Sequence, residues 1–284
     1  MQRKNLEHFE GKFGKSRIAQ LEGLLATMQG THIALPIDVP DENNTISFGM
    51  MGDTQEGNVF CATEQKLAFY DILRSEGITT LFHTGDVLDG HKVYKGQEFD
   101  VSALGFAAQR DAWLKTTPEI PGLTTYFITG NHDASFKNLA GVNVGKSLSD
   151  LRPDWKFLGE DQGEVVLRTM NEREYRVRLV HPAGGTAYAI SYKSQKQAES
   201  ITGGAKPNMI GIGHYHKAEH LPNYRNIDLI QTGTFEWQTG FMARLPTPAH
   251  VGGWIVRVTV GDQRSMSNRV SAEFISYFHP GESV

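Results

Sequence analysis

Three times in the first half of this chain, a short apolar run ends in glycine followed by aspartate or asparagine. Ile46 to Met51 leads into Gly52-Asp53, Thr79 to His83 into Gly85-Asp86, and Thr124 to Thr129 into Gly130-Asn131-His132-Asp133. Between the runs lie two segments with helical patterning. One is Thr63 to Ser75, carrying Leu67, Phe69, Tyr70 and Leu73, and the other is Val101 to Lys115. Runs of this length suit strands, and the longer periodic segments suit amphipathic helices. The alternation predicts an α/β arrangement with polar residues at the carboxyl end of every strand, where open α/β sheets bind their ligands.

The second half is richer in strand signals: Glu164 to Met170, Tyr175 to Val180, Met209 to Ile212, Ile227 to Gln231 and Trp254 to Val260, with a helical segment from Ala187 to Ile201. The sum predicts an α/β (α+β) fold, a β-sandwich with helices on the outside, four layers in all. Residues 1–45 differ from the rest. Ser16 to Met28 places Ile18, Leu21, Leu24 and Leu25 at helical spacing, and Pro36 to Asn44 carries two prolines, two aspartates and two asparagines. This reads as an N-terminal arm of one amphipathic helix and a linker, followed by a single domain over 46–284. Gly11 to Ser16 imitates a phosphate loop, but no strand precedes it, so we read it as a chance match.

Composition narrows the functional classes. Apolar residues make up 39%, enough for a packed core, while 21% charged residues is below the level of a disordered chain. A net charge of -4 argues against a broad basic face that coats nucleic acid. Cys61 is the single cysteine, so no internal disulfide can form. The polar start and the lack of any apolar run near the ~18 residues of a membrane span predict a cytoplasmic protein with no membrane association.

Five short loops carry the residue types that bind metal ions: Gly52-Asp53-Thr54-Gln55, Gly85-Asp86-Val87-Leu88-Asp89, Gly130-Asn131-His132-Asp133, His181-Pro182 and Gly213-His214-Tyr215-His216. Carboxylate, imidazole and amide oxygen suit manganese, iron, zinc or magnesium, whereas the thiolates of a structural zinc site are missing. Alternation in Gly-His-Tyr-His predicts both imidazoles on one side. A single G-D-x-x-D is weak, but five such loops in order are strong.

In that order the loops resemble the calcineurin-like metallophosphoesterase superfamily, with its D-x-H, G-D-x-x-D, G-N-H-D/E, lone H and G-H-x-H pattern, over about Ile46 to Val260. The resemblance implies a hydrolase with two divalent metal ions, manganese foremost. Asp53 and His216 would bind the first ion, Asp86 would bridge both, and Asn131, His181 and His214 would bind the second. A hydroxide held between the ions would attack phosphorus in line. His132 matches the family's proton donor, with Asp89 as the residue that orients it.

Two departures stand out. Gln55 occupies the place of the family's first histidine, and its neutral amide oxygen is the weaker ligand. Gly90-His91 follows G-D-x-x-D where the protein phosphatases of the superfamily have a phosphate-clamping arginine. The missing clamp tilts the reading from monoesters to phosphodiesters in DNA or nucleotides, in the style of the nuclease-type members used in DNA repair. A phosphomonoesterase and a non-catalytic scaffold of the same fold are the rivals. His91 and Tyr94 are candidates for the cleft wall, while the aromatics of Phe235-Glu236-Trp237 and Phe241 either stack on a nucleobase or, the reading we favour, pack under the loop. His83, His220 and His250 read as core or surface histidines.

Overall fold

The computed structural model describes residues 34–201, 206–244, 248–261 and 268–278. The helix expected at Ser16 to Met28 and the Gly11 to Ser16 stretch lie outside these residues. The compact unit begins at Leu35. Its strands are β1 (Leu35–Asp38), β2 (Asp41–Glu42), β3 (Thr45–Met51), β4 (Thr80–His83), β5 (Thr124–Thr129), β6 (Trp155–Glu160), β7 (Gln162–Arg168), β8 (Glu174–Val180), β9 (Met209–Ile212), β10 (Ala218–Tyr224), β11 (Ile227–Thr232), β12 (Gly252–Val260) and β13 (Asn268–Ser276). The helices are α1 (Thr63–Ser75), α2 (Phe106–Thr116), α3 (Asn131–Ala140), α4 (Val144–Leu151), α5 (Tyr192–Ser200) and α6 (Gly240–Arg244).

The strands form two mixed sheets. One runs β1-β7-β8-β9-β11-β10, the other β13-β12-β3-β4-β5-β6 with β2 beside β3. Alternation along the strands explains why the sheets stack. Ile46, Phe48 and Met50 of β3 and Val256 and Val258 of β12 point inward, where they meet Val165 and Leu167 of β7 and Val177 and Leu179 of β8 in one buried cluster. The opposite face of the β3 sheet is covered by Phe69, Tyr70 and Leu73 of α1 and by Trp113, Phe136 and Leu148 of α2, α3 and α4. Ala198 of α5 closes the outer face of the other sheet over Ile210, Ile212 and Leu229. The layer order is helix, sheet, sheet, helix, as the patterning predicts. Each fully buried Leu, Ile or Phe here contributes about 1.5–3 kcal/mol relative to exposure. No helix among the described residues is long and apolar enough to cross a membrane.

Several expectations need correction. The stretch 36–44 is not a linker: Leu35 to Asp38 pairs in parallel with Val165 to Arg168, and Asp41–Glu42 pairs with β3. Its proline content misled the reading, because β1 is an edge strand, the place in a sheet where proline is tolerated. The helix expected from Val101 begins at Phe106, since Val101 bridges to Asn58 and Gly105 turns the chain at φ +83°. Likewise α5 starts at Tyr192 rather than Ala187.

Candidate metal centre

Six strand ends meet at one edge of the sandwich. β3, β4 and β5 are parallel neighbours in one sheet, and β8, β9 and β11 are parallel neighbours in the other. Asp53, Asp86 and Asn131 follow the first three strands. His181 follows β8, and His214 and His216 follow β9. Hydrogen bonds seam the two sets together. The His214 amide donates to both Asp53 carboxylate oxygens (3.0 and 3.1 Å), and the hydroxyls of Thr84 and Thr232 lie 2.8 Å apart. His181 Nδ1 donates to the Thr84 carbonyl at 2.8 Å.

The backbone in these loops is unusual. Asp53, Gln55, Asp86, His214 and His216 hold φ of +49°, +48°, +52°, +79° and +53°. Each such residue costs on the order of 1–3 kcal/mol, and strain of this kind gathers at functional sites. The two imidazoles of Gly-His-Tyr-His do line one cavity, but by left-handed turns rather than by the strand alternation expected, with Tyr215 between them buried against the outer layer. Close approach explains the glycines. A Cβ on Gly130 would collide with the Asp86 carboxylate and sit 2.6 Å from His181 Nε2, and one on Gly85 (φ +98°) would sit 2.7 Å from His181 Nδ1.

Asp86 is the centre of the arrangement. Its Oδ2 lies 3.1 Å from His181 Nε2 and accepts from Gln55 Nε2 at 3.4 Å, while Oδ1 accepts from the His132 amide at 2.8 Å. Asn131 Oδ1 is 3.1 Å from His181 Nε2. Ligand atoms of Asp86, His181 and His214 all fall within 4.8 Å of one another. Beside them, His216 Nε2 is 3.4 Å from Asp53 Oδ1. All the expected ligand positions therefore border one site.

The donor set fits divalent cations. Since His181 Nδ1 donates its proton to a carbonyl, its Nε2 faces two oxygens, of Asp86 and Asn131, and demands a proton or a metal ion there. Burial disfavours the charged ring, but Asp86 outweighs that and lifts the His181 pKa to about 10. Burial likewise opposes ionisation of Asp86, yet the His181 and His132 imidazoles hold its carboxyl far below the usual range. Of the buried side-chain atoms without a hydrogen-bond partner among the described residues, two belong to this site, Gln55 Oε1 and His216 Nδ1. Nitrogen and oxygen donors without thiolate match manganese, iron, zinc or magnesium.

His132 departs from expectation. Its Nδ1 donates to the main-chain carbonyl of Asp89 at 2.6 Å, and the Asp89 carboxylate is 3.8 Å away. That carboxylate is held instead by Asn58 and Gln97 at 3.0 and 3.1 Å. Asp89 thus orients His132 through its backbone, and the amides around it fix the loop. Asp133 has a related task. Its buried carboxylate accepts from the amides of Val87, Leu88 and Gly130 at 3.1, 2.9 and 3.0 Å, tying two of the loops together. Burial, then the neighbouring Asp86, raises its pKa to about 7. Below the site, Lys66 of α1 pairs with Glu56, which also accepts from Thr116 of α2 at 2.8 Å.

The ligand loops open on a cavity of about 360 Å³ whose wall includes Tyr94, Phe241 and Glu236. Tyr94 and Phe241 stack with centroids 5.0 Å apart, and Phe241 is 40% exposed. Phe235 packs in the α1 layer instead, and His91 does not line the cavity. His83 is buried against Thr54, and burial pushes its pKa down to about 3. His220 pairs with Asp228, and His250 accepts from the Ala218 amide. Sequence reasoning missed Asn58, Gln97 and Glu236. Glu236 alone left a trace, a glycine-rich turn after a strand, like the other loops.

No protein-family model matches the chain. A curated relative, the DNA polymerase II small subunit of Archaeoglobus fulgidus, is 22% identical over 225 residues, covering 65% of this chain and 44% of that protein. The chain therefore spans less than half the length of that relative. Among solved structures, GAP50, the anchor in the inner membrane complex of Plasmodium, aligns at TM-score 0.46 and 10% identity over 82% of this chain and 84% of its own. A phosphatase from Mycoplasma pneumoniae aligns at 0.42 and 12% over 84% and 95%, and Chaetomium thermophilum Vps29 at 0.39 and 9% over 83% and 98%. Its five loops stand in order at the strand ends of a two-sheet sandwich between helices, and in that motif order the chain resembles the calcineurin-like metallophosphoesterases.

Proposed function

We propose that this protein is a two-metal phosphoesterase that hydrolyses a phosphodiester in nucleic acid or a nucleotide. The observation that carries the reading is the convergence of Asp86, His181 and His214 within 4.8 Å, with the Asp53–His216 pair beside them. Asp53, Gln55 and His216 would hold one ion, Asn131, His181 and His214 the other, and Asp86 both, with manganese the preferred metal. When bound, such a pair neutralises phosphoryl charge and lowers the pKa of a water toward ~7, which supplies the nucleophile.

The chain's own groups do the rest. His132 lines the cavity with Nδ1 committed to the Asp89 carbonyl, which leaves Nε2 to hold a proton for the departing oxygen. The seam of hydrogen bonds between Asp53, Thr84, His181 and His214 keeps the two halves of the site in register. Three features support a diester. Among the described residues no arginine lines the cavity. The stacked Tyr94 and Phe241 give a flat apolar wall of the kind on which a base packs. An adjoining cavity of about 450 Å³, sharing Thr186 and Tyr215, carries Lys193 and Lys217, which suit further phosphates. The relative that is by name a DNA polymerase subunit is in keeping with a nucleic-acid substrate.

The test is hydrolysis in Mn²⁺ of bis(p-nitrophenyl) phosphate against p-nitrophenyl phosphate, with a single-stranded oligonucleotide alongside. Faster turnover of the diester is expected. A strong monoester preference, or no hydrolysis with any divalent metal, would sink the proposal.

A further inference from the structure

Glu236 lies beyond β11, outside the five motif loops, yet its side chain lines the same cavity as Asp86 and His216. It is buried, and its Oε2 stands 3.6 Å from His216 Nδ1. The His216 ring therefore sits between two carboxylates, with Nε2 toward Asp53 at 3.4 Å and Nδ1 toward Glu236. The backbone that presents Glu236 is fixed, because its amide donates to Thr234 Oγ1 at 3.0 Å and it bridges to Cys61. Across the site is Gln55, fully buried, with Oε1 unpartnered among the described residues. A neutral amide there leaves the Asp53 side of the site one good ligand poorer than its motif implies.

We propose that Glu236 is a positioning residue of the first metal site, fixing His216 through Nδ1 and supplying charge that Gln55 does not. The inference rests on the two-metal reading above. Facing the Glu236 carboxylate across 3.6 Å, Nδ1 is the ring nitrogen that keeps its proton, which leaves the Nε2 lone pair for a cation, the usual arrangement of a carboxylate behind a metal-binding histidine. A purely structural role explains the burial less well. Its carboxylate is buried on the wall of the same cavity as Asp86 and His216, and a buried carboxylate needs a compensating cation nearby.

The experiment is Mn²⁺ titration of the full chain by calorimetry and electron paramagnetic resonance, without turnover. The wild type should take up two ions. Glu236→Gln should weaken the first site about 10–100-fold and leave the second unchanged, and Gln55→His added to it should recover much of the loss. Ring ¹⁵N spectra of the metal-free protein should show His216 as the Nδ1–H tautomer, a preference lost in Glu236→Leu. Weakened first-site binding in Glu236→Gln supports the inference even if no phosphoester is hydrolysed, so it and the catalytic reading fail separately. Unchanged affinity in Glu236→Gln, an unchanged tautomer in Glu236→Leu, or a wild type that binds no Mn²⁺ would overturn it.

Discussion

Raising the pH from 7 to 9 should tighten Mn²⁺ binding at the second site by about tenfold per pH unit, with about one proton released per ion. The cause is His181. Burial disfavours its charged form, but Asp86 at 3.1 Å, helped by Asp53 and by the Thr84 carbonyl on Nδ1, lifts its pKa to about 10. A metal ion that takes Nε2 must displace this proton. Below pH 10 the proton is bound, so every unit of rising pH weakens the competitor tenfold. From pH 7 to 9 the gain is roughly 100-fold, or about 2.7 kcal/mol at ~1.36 kcal/mol per unit. An unperturbed imidazole, with a pKa near ~6.5, would already be neutral at pH 7.5 and give no further gain. Calorimetry in two buffers of different ionisation enthalpy measures both quantities. Affinity that stays flat from pH 7 to 9, with no proton released, would refute the electrostatic account of this site.

Other consequences are as direct. Asp133→Ala strips the acceptor from three buried amides, at about 1–3 kcal/mol each, so the metal-free protein should lose roughly 3–9 kcal/mol in urea denaturation. Lys66→Met leaves Glu56 buried and unpaired and should cost about 3–5 kcal/mol, most of it recovered in the Lys66→Met/Glu56→Leu double variant. His132→Ala should lower kcat for the diester about 10²–10⁴-fold while metal analysis still finds two ions per chain.

The parts of the fold legible in the sequence are those in which local pattern and long-range role coincide. β3, β4 and β5 are apolar because they are buried on both faces, and their Gly-Asp and Gly-Asn ends face the site, so one short run announces strand and ligand together. β10 and β13 carry Glu219, His220, Asn223, Arg269 and Glu273 on partly exposed surfaces, and as edge strands they need no apolar run. The helix that opens at Asn131 was hidden because its N-terminus is itself a ligand loop, with Gly130 as the cap. Asn58 and Gln97 were illegible, and Glu236 nearly so, for another reason. They hold the loops from outside the motifs, and what marks them is three-dimensional proximity to Asp89 and His216 rather than spacing in the chain.

The sharing of the ligands between two sheets has a mechanical consequence. Asp53, Asp86 and Asn131 belong to one slab of the sandwich and the three histidines to the other, so the ions we propose would act as a clasp across the interlayer seam. Chelation should therefore loosen more than the loops. Amide exchange in the strands nearest the clasp, β4 and β9, should accelerate when the ions are removed, while the far edges at β1 and β13 barely respond.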